Sequence, residues 1–389
     1  LTSAIPTTQC THCHYRGARI GPSFQGYRES AAAGLNPENK EVLGVGMHGH
    51  GPNFYITHER DKKKFADDTP PDIHFERGLH CIDCHTKHDV HGDGHLYSDT
   101  LNQIEIRCED CHGTLDADST LKTSRGEPLA HMWKDEKGHV WLRGKVDGKK
   151  HLVKQISQVI DDKSPFYNPI AKKHMGRDAN GHSHLDKVEC YTCHSDWMPN
   201  CYGCHVTLDI GKSAPNLTTG EITPGRPSGR RAWVAVHDLI LMNGVRGKIA
   251  PAMPSERFYL TVKKTTTNSD GTKSVDVIFK DQPRHRAPGE SGMGARPVNP
   301  HTTRRFGRYS ACEACHLKAD KSNEEAVRRA WGFGSDKYVF TDGNGKKWRH
   351  DQLIDDKHVS VVQPGHDDPE PATPLSKATI DKMKAYIIK

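Results

Sequence analysis

The chain has 389 residues, long enough for two or three ordinary domains. Only 34% of them are hydrophobic and the mean hydropathy is −0.76, too polar to fill a conventional core of that size. A formal charge of +6 with no apolar run of about twenty residues gives no sign of a nucleic-acid partner and excludes a membrane-spanning helix.

All twelve cysteines fall in six C-x-x-C pairs, each followed directly by histidine. In chain order these are Cys10, Cys13 and His14; Cys81, Cys84 and His85; Cys108, Cys111 and His112; Cys190, Cys193 and His194; Cys201, Cys204 and His205; and Cys312, Cys315 and His316. C-x-x-C-H is the attachment signature of c-type haem. The thiols add to the porphyrin vinyl groups, and the adjacent imidazole becomes an axial ligand of the iron. Structural zinc also uses C-x-x-C pairs but does not require the following histidine. With 27 histidines in 389 residues, six such matches by composition alone would be about a one-in-ten-million event. Six strained C-x-x-C disulfides would make no sensible staple. The expected cofactor is therefore heme c, six copies, covalently attached. Six macrocycles in a chain this polar would themselves be the core, at roughly 65 residues each. With both propionates counted, six ferric haems would also bring about −6 and roughly cancel the formal charge.

The predicted fold is mostly irregular coil with short α-helices wrapped around a haem stack, plus a small insertion containing a β-hairpin. Residues 1–75 form an N-terminal segment with site 1, in which Lys62-Lys63-Lys64 reads as a solvated loop. Residues 76–210 carry sites 2 to 5. Sites 2 and 3 lie 22 residues apart, and only Ser195-Asp-Trp-Met-Pro-Asn200 separates sites 4 and 5. That is at most about 25 Å of extended chain, which makes sites 4 and 5 immediate neighbours. Residues 211–311 read as a haem-free β-rich insertion covering one end of the stack. There Arg257–Lys263 and Ser274–Lys280 alternate in polarity on either side of Asn268-Ser-Asp-Gly271, a hairpin signature. Residues 312–389 hold site 6, an extended linker over 363–374, and a short helix capped by Ser376. Ile380, Met383 and Ile387 are expected to share one face of that helix, docked on the body or on a neighbouring subunit.

A low-spin carrier needs a second axial ligand on each iron. Twenty-one further histidines stand against eight methionines, which favours bis-histidine ligation. The candidate distal ligands are His48, His74, His91, His131, His184 and His301. His74 precedes site 2, and His91 follows it among glycines. His184 precedes site 4, and His301 precedes site 6.

Leu185 through His205, His74 through Gly94, and Asn299-Pro-His301 resemble segments of the multihaem c-type cytochromes of the respiratory and extracellular electron-transfer group of anaerobic prokaryotes. Together they cover 45 of the 389 residues. The resemblance implies respiratory electron transfer, in a group that also contains relatives of octahaem hydroxylamine oxidoreductase and tetrathionate reductase. This chain has six sites rather than eight, and no C-x-x-C-K variant of the kind found in ammonia-forming nitrite reductase.

Function is therefore expected to be electron transfer rather than enzymatic turnover. The partners would be other redox proteins or extracellular electron acceptors, and identical subunits if the chains polymerise as a cytochrome filament. The alternative is an oxidoreductase acting on a small nitrogen or sulfur oxyanion at one open iron, with Arg304, Arg305 and Arg308 attracting the anion. Covalent haem attachment takes place outside the cytoplasm. An export signal ahead of Leu1 is thus expected to have been removed, and the location to be periplasmic or extracellular.

Overall fold

The computed structural model describes residues 4–14, 20–29, 54–56, 70–95, 97, 100–198, 200–201, 204–216, 218–231, 234–235, 240–254, 258–283, 295–331, 340–341, 347–348 and 373–388. Within them the chain is a mix of short helices and several small sheets, mostly non-helical. His48, the 62–64 lysines and most of the 363–374 linker lie outside the described residues.

Five of the cysteine motifs begin in or follow a single tight helical turn. Thr7–Cys10, Cys81–Cys84, Cys108–His112 and Cys190–His194 are single α-turns, and Cys312–Ala314 is a 3-10 turn. Two of these turns are closed by an aspartate inside the motif. Asp83 accepts the His80 N–H at 2.7 Å, and Asp110 accepts the Arg107 N–H at 2.8 Å. Both satisfy an N–H that a helix start leaves unpaired. Site 5 departs from this pattern, with Cys201 in the strand Asn200–Cys201 and Cys204 opening the strand Cys204–Pro215.

The sequence hairpin lies inside a larger sheet. Strands Phe258–Thr267 and Lys273–Pro283 pair antiparallel around the Asn268–Gly271 turn. Gly271 sits at φ +81°, the left-handed conformation such a turn requires. Cys204–Pro215 then runs parallel to Phe258–Thr267 and antiparallel to Ile222–Arg231. The fifth motif therefore feeds directly into the sheet, which the composition of either segment alone does not reveal.

Apolar packing comes in small separate clusters. One gathers Leu79, Ile106, Leu129, Met132, Val140, Leu142 and Val153 around the three-stranded sheet Met132–Lys134, Val140–Arg143 and Lys150–Leu152, with Cys111 against its edge. A second gathers Leu241, Tyr309, Val327, Trp331, Leu375, Ile380 and Met383, with Cys315 against it. Ser376 caps the helix Lys377–Ala385 by accepting the Thr379 N–H at 3.1 Å. That helix docks on its own body through buried Ile380 and Met383. Ile387 instead belongs to a two-residue strand running parallel to Leu317–Lys318.

The short Ser195–Met198 link between sites 4 and 5 is pinned rather than loose. Trp197 and Met198 are 1% and 0% exposed, and the indole N–H donates to the Pro70 carbonyl at 2.9 Å.

Candidate functional site

Three pairs of imidazoles face one another. His74 and His112 have ring centres 6.2 Å apart, His85 and His301 6.1 Å, and His184 and His316 6.3 Å. Each pair joins the terminal histidine of one motif, at site 3, 2 or 6, to a histidine outside the motifs.

In five of the six rings Nδ1 is hydrogen-bonded to an acceptor. His112 Nδ1 donates to the Lys154 carbonyl at 3.0 Å, His316 to Met383 at 3.1 Å, His184 to His174 at 3.1 Å, and His301 to Asn299 at 2.8 Å. His74 donates to the Asp72 carboxylate at 2.8 Å. His85 Nδ1 lies 3.3 Å from the buried carboxylate of Asp89 without a hydrogen bond between them. A proton fixed on Nδ1 leaves the lone pair on Nε2, the arrangement a metal-bound imidazole adopts. His194 Nδ1 is held in the same way by the Arg304 carbonyl at 3.1 Å.

Electrostatics agree with neutral ligands. Desolvation lowers the pKa of His301 to about 4, with His85 adding to it. Desolvation likewise lowers His112 to about 4, against the Lys154 hydrogen bond. His316 is lowered by burial and by His184. At His74 burial opposes the charge, but the hydrogen bond and charge of Asp72 prevail and raise it. Burial also pushes the thiols of Cys81, Cys111 and Cys315 up to about 12.

The motifs meet through their cysteines. Cys81 interacts with Cys10, and its Sγ lies 3.7 Å from Thr7 Oγ1. Cys84 interacts electrostatically with Cys111, Cys108 with Cys190, and Cys193 with both Cys312 and Cys315. The spatial succession is thus site 1, 2, 3, 4 and then 6. The described cysteines are all free thiols.

These residues fit heme c. Two imidazoles binding one iron from opposite faces, at about 2 Å per bond, place ring centres roughly 6 Å apart. Three independent pairs hold that spacing, each beside the cysteine pair that would make the thioether bonds.

The remaining sequence candidates are placed differently. His131 is not brought to a motif histidine among the described residues. Its Nε2 lies 3.0 Å from the Asp83 carbonyl, to which that nitrogen must donate. His91 is exposed at the end of the helix Lys87–His91. The side chains of Cys201, Cys204 and His205 lie outside the described residues. Arg304 is committed to Glu76 at 2.6 Å and to the Pro71 carbonyl at 3.0 Å, and the Arg305 guanidinium packs over Phe306.

Sequence reasoning missed Asp72, Asp89 and His80. His80 Nδ1 accepts the Thr7 N–H at 3.1 Å and meets its hydroxyl at 3.0 Å, pinning site 1 to site 2. The available signal for Asp72 was its position as N-cap of a helix whose second residue is the candidate His74.

Residues 47–113 match the family described as cytochrome c554 and c-prime, a span that contains sites 2 and 3 and His74. No curated protein and no solved structure matches. Among the described residues no helix is long and apolar enough to cross a membrane. With thiols and imidazoles arranged as above, the match supports a c-type cytochrome: covalently bound haem, electron transfer and redox partners.

Proposed function

We propose that this chain binds six covalently attached haems, mostly or wholly bis-histidine, and conducts electrons along them in a periplasmic or extracellular setting. The observation that carries the reading is the set of three imidazole pairs at 6.1 to 6.3 Å, in which five of the six rings have Nδ1 hydrogen-bonded and so keep the lone pair on Nε2. Haem supplies reversible one-electron chemistry, and the protein sets ligation, spacing and surroundings. In this reading His301, His74 and His184 are the distal ligands of sites 2, 3 and 6. His14, His85, His112, His194, His205 and His316 are the proximal ones.

Adjoining cysteines support a continuous route, since rings attached through neighbouring thiols are themselves neighbours. The route runs through sites 1, 2, 3, 4 and 6, with site 5 joined to site 4 by the Ser195–Asn200 link. Head-to-tail assembly of copies would extend it into a wire. The C-terminal helix does not serve that contact, because its apolar face is already buried on its own body.

The test is a haem count on the exported protein, by intact mass and pyridine haemochrome absorbance. Six haems per chain, resistant to acid–acetone extraction, are expected. Fewer than six, or extractable haem, overturns the reading.

A further inference from the structure

Asp72 is 2% exposed and lies between two of the imidazole pairs. Its Oδ1 accepts from both the backbone N–H of His74, at 2.9 Å, and His74 Nδ1, at 2.8 Å. Its Oδ2 accepts the Thr303 N–H at 2.7 Å, two residues beyond His301. The Ile73 N–H returns to the Thr303 carbonyl at 2.8 Å, so the two segments clasp each other through Asp72. One carboxylate therefore fixes the segments that present His74 to His112 and His301 to His85.

The nearby Arg304 makes no described hydrogen bond to this carboxylate. Arg304 Nη1 is bonded to Glu76 and the Pro71 carbonyl instead. The site 6 pair offers the contrast, since His184 and His316 both donate to neutral backbone carbonyls.

A carboxylate that accepts an imidazole proton raises the basicity of that ligand. A more basic ligand, with a negative charge close by, stabilises ferric over ferrous iron. We propose that Asp72 is the positioning residue shared by the distal ligands of sites 2 and 3, and that it lowers the reduction potentials of both haems. The inference rests on the distal assignments of His74 and His301 proposed above, and it adds a coupling between them.

Asp72→Asn keeps the size of the side chain while removing the charge and one acceptor. In the holoprotein, a spectroelectrochemical titration should show two of the six haems moved to higher potential, with haem count and low-spin spectra unchanged. Six unmoved potentials overturn the inference, and a shift confined to one haem overturns the sharing. Should the variant fail to fold, near-infrared magnetic circular dichroism of the oxidised wild type decides. A charge-transfer band displaced toward that of an imidazolate-like ligand supports the proposal, and one ordinary bis-histidine band contradicts it. Absence of bis-histidine haem in the wild type would instead fail the reading of function itself.

Discussion

His85 and His301 face each other at 6.1 Å with their ring planes only 13° apart, although more than half the chain separates them. His301 reaches this position from a left-handed backbone, φ +54°, uncommon for a residue other than glycine. Asn299 holds the turn, accepting the His301 N–H at 3.1 Å on its side chain and Nδ1 at 2.8 Å on its carbonyl. Such a conformation costs on the order of 1–3 kcal/mol and persists where the surroundings impose it.

His301→Ala should remove one distal ligand and leave the fold and the covalent haems in place. The expected result is one high-spin haem per chain in the oxidised protein, read by magnetic circular dichroism, with the other five unchanged. No change in spin state would exclude His301 as a ligand.

Gly307 lies against the carbonyl of His194, where an added Cβ would sit 2.8 Å away, and against that of Ser195. Gly307→Ala should therefore push the proximal segment of site 4 outward. A loss of about 1–3 kcal/mol is expected from overpacking, measured by denaturant unfolding. The perturbation should reach the His194 hydrogen bond to Arg304 and so disturb one haem. A spectrum identical to wild type would show that the contact does not restrain His194.

Trp197 anchors the link between sites 4 and 5 through its bond to the Pro70 carbonyl. Trp197→Phe removes the donor and leaves that buried acceptor unpaired, a cost of about 1–3 kcal/mol. Thermal unfolding of the holoprotein checks this, and an unchanged Tm would place the stability of the link elsewhere.

The hairpin turn at Asp135 gives a pH test away from the imidazole pairs. The Trp141 indole N–H foremost, with the N–H groups of His139 and Lys137, lowers the Asp135 carboxyl to about 2. An unfolded aspartate titrates near about 3.9. The folded value is the lower one, so the contribution is present above about 3.9 and is lost as pH falls towards about 2. Asp135→Asn should flatten the acid limb of the stability profile in that window. An unaltered acid limb would contradict it.

The C-x-x-C-H sites are legible in the sequence because attachment is a local, five-residue requirement. Facing ligands are a tertiary matter. His74 lies just before site 2 but faces His112 of site 3, while His301 lies just before site 6 but faces His85 of site 2. In both cases the facing imidazole belongs to a different motif from the one adjacent in sequence, so proximity in sequence does not identify the partner. His131 shows the other difficulty, that a histidine near a site can serve the backbone instead, here the Asp83 carbonyl. The hairpin at Asn268–Gly271 was readable from alternation and turn chemistry. Its parallel neighbour Cys204–Pro215 was not, because parallel pairing leaves no local turn signal.

The most direct test of the central claim is an EPR spectrum of the fully oxidised protein. Six bis-ligated haems predict low-spin signals alone, integrating to six spins per chain once magnetic coupling between neighbours is accounted for. A stoichiometric high-spin signal would contradict a pure conduit and reveal an iron open to substrate.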